Sequence, residues 1–319
     1  MRVVVVGASG HIGTYLVPRL VEEGHEVVAV SRGRREPYRE HPAWGRVRRV
    51  EADRGKLESR GDFGAFVRDL DPDAVIDLIC FTPESARQLA EALRGRVEHF
   101  LHCGTIWVHG HSTRVPTTED QARRPFGEYG TNKAKIEAYL LAEARRGRLP
   151  ATVLHPGHIV GEGWVPVNPQ GNFEPAVFGA LARGEELPLP NLGLETVHHV
   201  HADDVAQAFV RALSSWSASV GESFHVVSPQ AVTLRGYAEA VAGWFGREAH
   251  LRFVPFEEWR GGVSEEAAEA TWDHIAHSPN CSIEKARRLL GYEPRYTSLE
   301  AVREALLSLE QTKGAVSGW

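Results

Sequence analysis

Arg2-Val3-Val4-Val5-Val6-Gly7-Ala8-Ser9-Gly10-His11-Ile12-Gly13 opens the chain and decides how the rest of it is read. An unbroken β-branched run suits a strand buried on both faces, as in a parallel sheet. Three glycines follow at a spacing of three. Gly7 permits a tight turn, Gly10 leaves room for a pyrophosphate at the main chain, and Gly13 lets the next helix pack close to the strand. The start of that helix offers free N–H groups and the positive end of its dipole to phosphates. In this strand–loop–helix setting a dinucleotide site outweighs a simple turn. Ser9, His11 and Ile12 complete the expected loop.

Working outward, short apolar runs at 26–30, 47–51, 74–79, 97–103 and 151–155 alternate with amphipathic stretches at 11–23, 62–69, 83–94 and 128–146. Such repetition implies an α/β fold with a doubly wound parallel Rossmann sheet. After His155 the chain turns rich in Pro, Gly and Asn. The expected organisation is a dinucleotide-binding domain over 1–155, to which 195–215 returns, and a smaller, partly interleaved C-terminal substrate domain over 156–319.

The second strand ends Val30-Ser31-Arg32, followed by Gly33-Arg34-Arg35. An acidic residue here would take the ribose 2′-hydroxyl of NAD. A small residue followed by arginine suits the 2′-phosphate of NADP. NADP is therefore the expected cofactor, with NAD as the alternative.

The 319 residues are 42% hydrophobic and 24% charged, with a formal net charge of −6. That balance gives no footprint of a nucleic-acid surface. Cys80, Cys103 and Cys281 lie far apart without metal or disulfide spacing, which fits a reducing cytoplasm. No stretch approaches the ~20 apolar residues of a membrane span. His198, His199 and His201 do not read as a metal site, since His198 points away from the other two on a strand.

Tyr129-Gly130-Thr131-Asn132-Lys133 has Tyr-x-x-x-Lys spacing at the start of a helix. Residues four apart share one face, so phenol and ammonium can meet in one cleft. A tyrosine of pKa ~10 is a poor base at neutral pH, and a nearby ammonium lowers it. The phenol can then exchange a proton with an alcohol while hydride moves at its carbon.

Together these motifs resemble the extended short-chain dehydrogenases/reductases of the NAD-dependent epimerase/dehydratase family, over nearly the whole chain. Gly7-x-x-Gly10-x-x-Gly13 resembles the family's glycine motif. The segment 100–110 resembles the one that carries the catalytic Ser/Thr, with Thr105 at that position. The resemblance implies Thr105, Tyr129 and Lys133 as catalytic residues. It implies cofactor contacts from Ser31, Arg32, Asp53, Leu78, Tyr129, Lys133 and Pro156 besides the glycine loop. It places Thr105, Trp107, His109 and His158 beside the substrate. Asn168 and Asn172, in the loop 164–173, are expected to hydrogen-bond it. Relatives commonly dimerise through the helices after the fourth and fifth strands, here 83–94 and 128–146, so a homodimer is expected.

Two departures narrow the substrate. Nucleotide-sugar members often carry a diphosphate-gripping arginine where this chain has Val197, and a valine cannot clamp a phosphate. Sugar dehydratases follow the Thr with Asp-Glu, whereas Ile106-Trp107 cannot do acid/base work. Epimerase and reductase remain open at this point, as does a non-nucleotide ketone substrate. A non-catalytic dinucleotide-binding regulator or a nucleic-acid-binding relative is the rival of another class.

Overall fold

The computed structural model describes residues 1–312. Seven parallel strands form the central sheet: β1 (Arg2–Val6), β2 (Glu26–Ser31), β3 (Arg48–Glu51), β4 (Ala74–Asp77), β5 (His99–Cys103), β6 (Ala151–Pro156) and a last strand, Ser223–Val226. Their order across the sheet is Ser223–Val226, β6, β5, β4, β1, β2, β3. The chain winds outward in both directions from β1. Its crevice therefore opens between β1 and β4, beyond the strand ends.

The valine run behaves as its composition requires. Val3 and Val5 enter one core, and Val4 and Val6 enter the other, on the opposite face. The helix His11–Glu22 covers the first face through Ile12, Tyr15, Leu16 and Leu20. The helices Pro83–Leu93 and Gly127–Arg145 cover the second through Leu89, Leu93, Ile136 and Leu140.

A third core joins residues between Val160 and Leu306, including Phe178, Tyr237, Val241, Trp259 and Val302. The segment 195–215, expected to return to the dinucleotide domain, divides between its strand and its helix. The strand His199–His201 pairs with His158–Val160 and not with the main sheet. The segment that returns to the sheet is Ser223–Val226, beside β6. Within 195–215 it is the helix Ala202–Ser214 that packs on the dinucleotide domain, where Asp203 takes both Arg19 hydrogen bonds at 2.7 Å. Among the elements that escaped the sequence pattern, two contribute to the third core. The strand Glu186–Pro190 pairs with His250–Val254 and is interrupted by prolines. The helix Glu265–His277 buries Ala267, Ala268, Thr271, His274 and Ile275, a stripe too small and polar to register as apolar.

Candidate active site

The crevice is a cleft of about 700 Å³. Gly7 makes the turn at its base with φ +89°, its N–H bonded to Val30 O at 2.9 Å. A Cβ on Gly13 would lie 2.1 Å from Ala8 O, so only glycine lets the helix start this close to the strand end. Gly10 is the N-cap and supplies no side-chain bond, which leaves the first N–H groups of His11–Glu22 open to the cleft. This cradle fits a pyrophosphate. Gly7, Ser9, Gly10, His11 and Ile12 line the cleft, whereas Gly13 works behind it.

At the far end of β2, Ser31, Arg32 and Arg35 line the same cleft. Arg35 is drawn toward Tyr38, its guanidinium 5.6 Å from that ring. Asp53 borders the cleft while capping the helix Arg54–Glu58, its Oδ1 accepting from Lys56 N at 3.2 Å. Leu78 and Pro156 line the walls. Arg35 of the basic turn and Trp164 of the loop 164–173 line the cleft too, and so do Tyr38, Ile79 and Phe81, which sequence reasoning missed. Nothing in their local pattern marks them, because they reach the cleft from separate loops.

Tyr129 and Lys133 rise from the first turns of the helix Gly127–Arg145 beside Thr105 at the end of β5. All three line the cleft. Thr105 Oγ1 accepts from Trp107 N at 3.3 Å, and its hydroxyl meets the phenol of Tyr129. Enclosure of the Tyr129 hydroxyl pushes its pKa up to about 12, against the opposite pull of the Thr105 bond. The ring itself keeps 42% exposure on the cleft side. Lys133 is buried, donates to Cys103 O at 2.7 Å, and stands 5.9 Å from the Tyr129 ring centre. Burial lowers the lysine pKa. Desolvation thus sets the direction of the Tyr129 shift, and the lowering by the ammonium that spacing suggested does not figure among its causes.

Beyond Tyr129 lies an aromatic wall. Trp107 meets Tyr129 edge-on at 6.0 Å and stacks on His277 at 4.1 Å. His274 and His158 flank it at 5.3 and 6.3 Å. His158 Nδ1 accepts from His198 N at 3.2 Å, which leaves the proton on Nε2 as a donor. Burial holds His158, His274 and His277 neutral, the last two with pKa values of about 4.

Three expected substrate contacts are placed elsewhere. His109 is buried, with its Nε2 2.8 Å from His225 Nε2, behind the sheet end. Asn168 spends both amide hydrogens on Asn172 Oδ1 and Glu174 O, and its oxygen on Gln170 N and Asn172 N. Asn172 bonds Thr271 Oγ1 at 3.1 Å. The two amides knit the loop 168–174 to the helix Glu265–His277, and their polar atoms are committed there.

His198, His199 and His201 take separate partners: Ser228 O, Val167 O and Glu304. Asp77, Cys80 and His102 do bring ligand atoms together beneath Lys133. The guanidinium of Arg54, 2.6 Å from Asp77 Oδ1, already balances that carboxylate.

Residues 3–226 match the model of the NAD dependent epimerase/dehydratase family. The chain belongs to this family. Membership makes it an enzyme of nicotinamide dinucleotide chemistry, an epimerase or oxidoreductase. It is similar to proteins with quite different names. It is 26% identical to chloroplast stem-loop binding protein of 41 kDa b from Arabidopsis thaliana, over 95% of this chain and 78% of that one. It is 29% identical to 2′-dehydrokanamycin reductase from Streptomyces kanamyceticus, over 86% and 76%. The structure of UDP-glucose 4-epimerase from Thermotoga maritima shares the fold with a TM-score of 0.73 at 20% identity, over 98% and 100%. No helix among the described residues is long and apolar enough to cross a membrane.

Proposed function

We propose that the chain is an NADPH-dependent reductase of a ketone on an uncharged, sugar-like molecule. The observation that carries this reading is the grouping of Thr105, Tyr129 and Lys133 at the end of the dinucleotide cleft. The dinucleotide would lie along Gly7–Ile12, Ser31, Arg32, Asp53, Leu78 and Pro156, and supplies the hydride. The alkoxide that hydride addition creates is a far stronger base than phenolate, so a neutral phenol suffices as acid. Thr105 holds the reacting oxygen against Tyr129. Lys133 supports the phenolate left behind and retains ammonium protons for a ribose hydroxyl.

Support for the substrate class is the cation-free ring group of Trp107, His158 and His274, which packs next to Tyr129 just outside the residues that line the cleft. Val197, where nucleotide-sugar relatives often carry arginine, is fully buried. One relative, 2′-dehydrokanamycin reductase, carries a reductase name, which favours reduction over epimerisation. For NADPH, support comes from Ser31, Arg32 and Arg35 at one end of the cleft. An epimerase remains the second reading, favoured by the shared fold with a UDP-glucose 4-epimerase. A homodimer through Pro83–Leu93 and Gly127–Arg145 is the proposed assembly.

The test is NADPH oxidation with a panel of keto-sugars and keto-glycosides. Stoichiometric oxidation, lost in Tyr129→Phe while NADPH still binds, supports the reading. Interconversion of sugar epimers with retained cofactor and no net oxidation sinks it.

A further inference from the structure

Behind Thr105 lie two buried groups that take no direct part in that chemistry. Glu137 stands one turn beyond Lys133, so Tyr129, Lys133 and Glu137 follow one another at intervals of four on one helix face. His155 lies on β6 beside the end of β5, where Cys103 pairs with Leu154. The main-chain N–H of Thr105 donates to His155 Nδ1 at 3.0 Å. On the other side of the ring, His155 Nε2 is 3.1 Å from Glu137 Oε1. The carboxylate is gripped by Arg123, with Nη2 at 2.6 Å and Nε at 3.0 Å. Arg123 is itself fixed by its Nη1 donating to the carbonyls of Glu119 and Gln121 at 2.6 and 2.8 Å. Space for the imidazole exists because residue 104 is glycine: a Cβ there would stand 2.4 Å from His155 Nδ1.

A neutral imidazole carries one ring proton. Because Nδ1 accepts from Thr105, the proton is on Nε2, which lies at ion-pair distance, 3.1 Å, from the carboxylate. Were it on Nδ1, two donors would oppose each other at 3.0 Å and the segment 104–105 would have to move. We infer that Glu137 and His155 are a positioning pair for Thr105. The carboxylate fixes the ring as the Nε2–H tautomer, and Nδ1 then anchors the Thr105 main chain where its hydroxyl meets Tyr129. Neither residue touches the reacting atoms. The inference rests on the reading of Thr105 and Tyr129 as the reacting pair.

The full-length chain tests it through two substitutions and one spectrum. His155→Asn keeps an acceptor oxygen near the Nδ1 position, whereas His155→Phe keeps the ring shape and removes the acceptor. The Phe variant is expected to lose about 100-fold in kcat, the scale of a small misplacement. Its KM for NADPH should stay within about 3-fold, and the Asn variant should recover to within about 5-fold of the parent. Ring ¹⁵N shifts of His155 in the parent should show a bare Nδ1 and a protonated Nε2. A Phe variant of unchanged kcat, equal losses in Asn and Phe, or a protonated Nδ1 overturns the pair. If the parent turns over no ketone, the reading of the site fails by itself, and the ¹⁵N tautomer still decides the pair.

Discussion

Lys133 Nζ lies 2.7 Å from the main-chain oxygen of Cys103, so the helix Gly127–Arg145 is tied to the end of β5 by the lysine it offers to the cleft. The ammonium is buried, faces the Phe81 ring at 4.9 Å, and has its pKa lowered by desolvation. One proton goes to Cys103, and two remain for a ligand and the phenolate. Lys133→Met is expected to lower kcat at least ~100-fold, the lower end of what one positioned proton-transfer group contributes. Arginine should not rescue it, because a planar fork cannot replace a compact ammonium in this space. Steady-state kinetics at neutral pH decide, and a Met variant of full kcat removes Lys133 from the mechanism.

Cofactor preference should follow the basic end of β2. A charge-assisted bond to a 2′-phosphate contributes roughly 1.5–3 kcal/mol. Arg32→Ala should therefore raise the KM for NADPH by about 10- to 100-fold and leave that for NADH nearly unchanged. Equal effects on both cofactors would show that Arg32 reads no 2′-phosphate.

Stability should fall steeply in mild acid. His99, His109, His198, His274 and His277 are buried with pKa values of about 4, and His11 and His199 of about 3, chiefly through desolvation. In the unfolded chain each titrates near ~6.5. Between those values the unfolded state binds more protons, so stability is complete above about pH 6.5 and is lost as pH falls. The linkage is up to roughly 1.4 kcal/mol per fully effective histidine per pH unit. The carboxyl of Glu137, held low by His155 and Arg123, adds a further loss only below the usual carboxylate range. Urea midpoints at pH 7.5, 6.5 and 5.5 should drop progressively. A flat series would mean that these imidazoles are not held neutral.

Gly13→Ala probes the glycine loop without touching a ligand. The added methyl would meet Ala8 O at 2.1 Å, and the main chain cannot yield as a flexible side chain can. A loss at or above the ~1–3 kcal/mol usual for overpacking is expected, together with weaker dinucleotide binding. Gly45→Ala, with nothing within 4 Å of the new atom, is the matched control. Thermal midpoints that match between the two would refute the steric argument.

The parallel sheet and the candidate centre were legible for different reasons. Val3–Val6 and the glycine spacing are local signals, since burial on both faces and a tight turn each select residue types within a few positions. Tyr129 and Lys133 could be paired because helix geometry puts every fourth residue on one face. Glu137 carried the same signal and was passed over, because its partners Arg123 and His155 lie outside that face. The helix Glu265–His277 escaped because alanine, threonine and histidine form its buried stripe.

Order and spacing in the chain were enough for the strand–loop–helix cradle, the Tyr–Lys pair with Thr105 upstream, and the lack of an arginine at Val197. Tertiary packing decided that burial raises the Tyr129 pKa, that Asn168 and Asn172 brace a loop, and that His274 and His277 back Trp107. Those outcomes depend on desolvation and on hydrogen-bond partners up to a hundred residues away. Such terms exist only once the chain has closed around them.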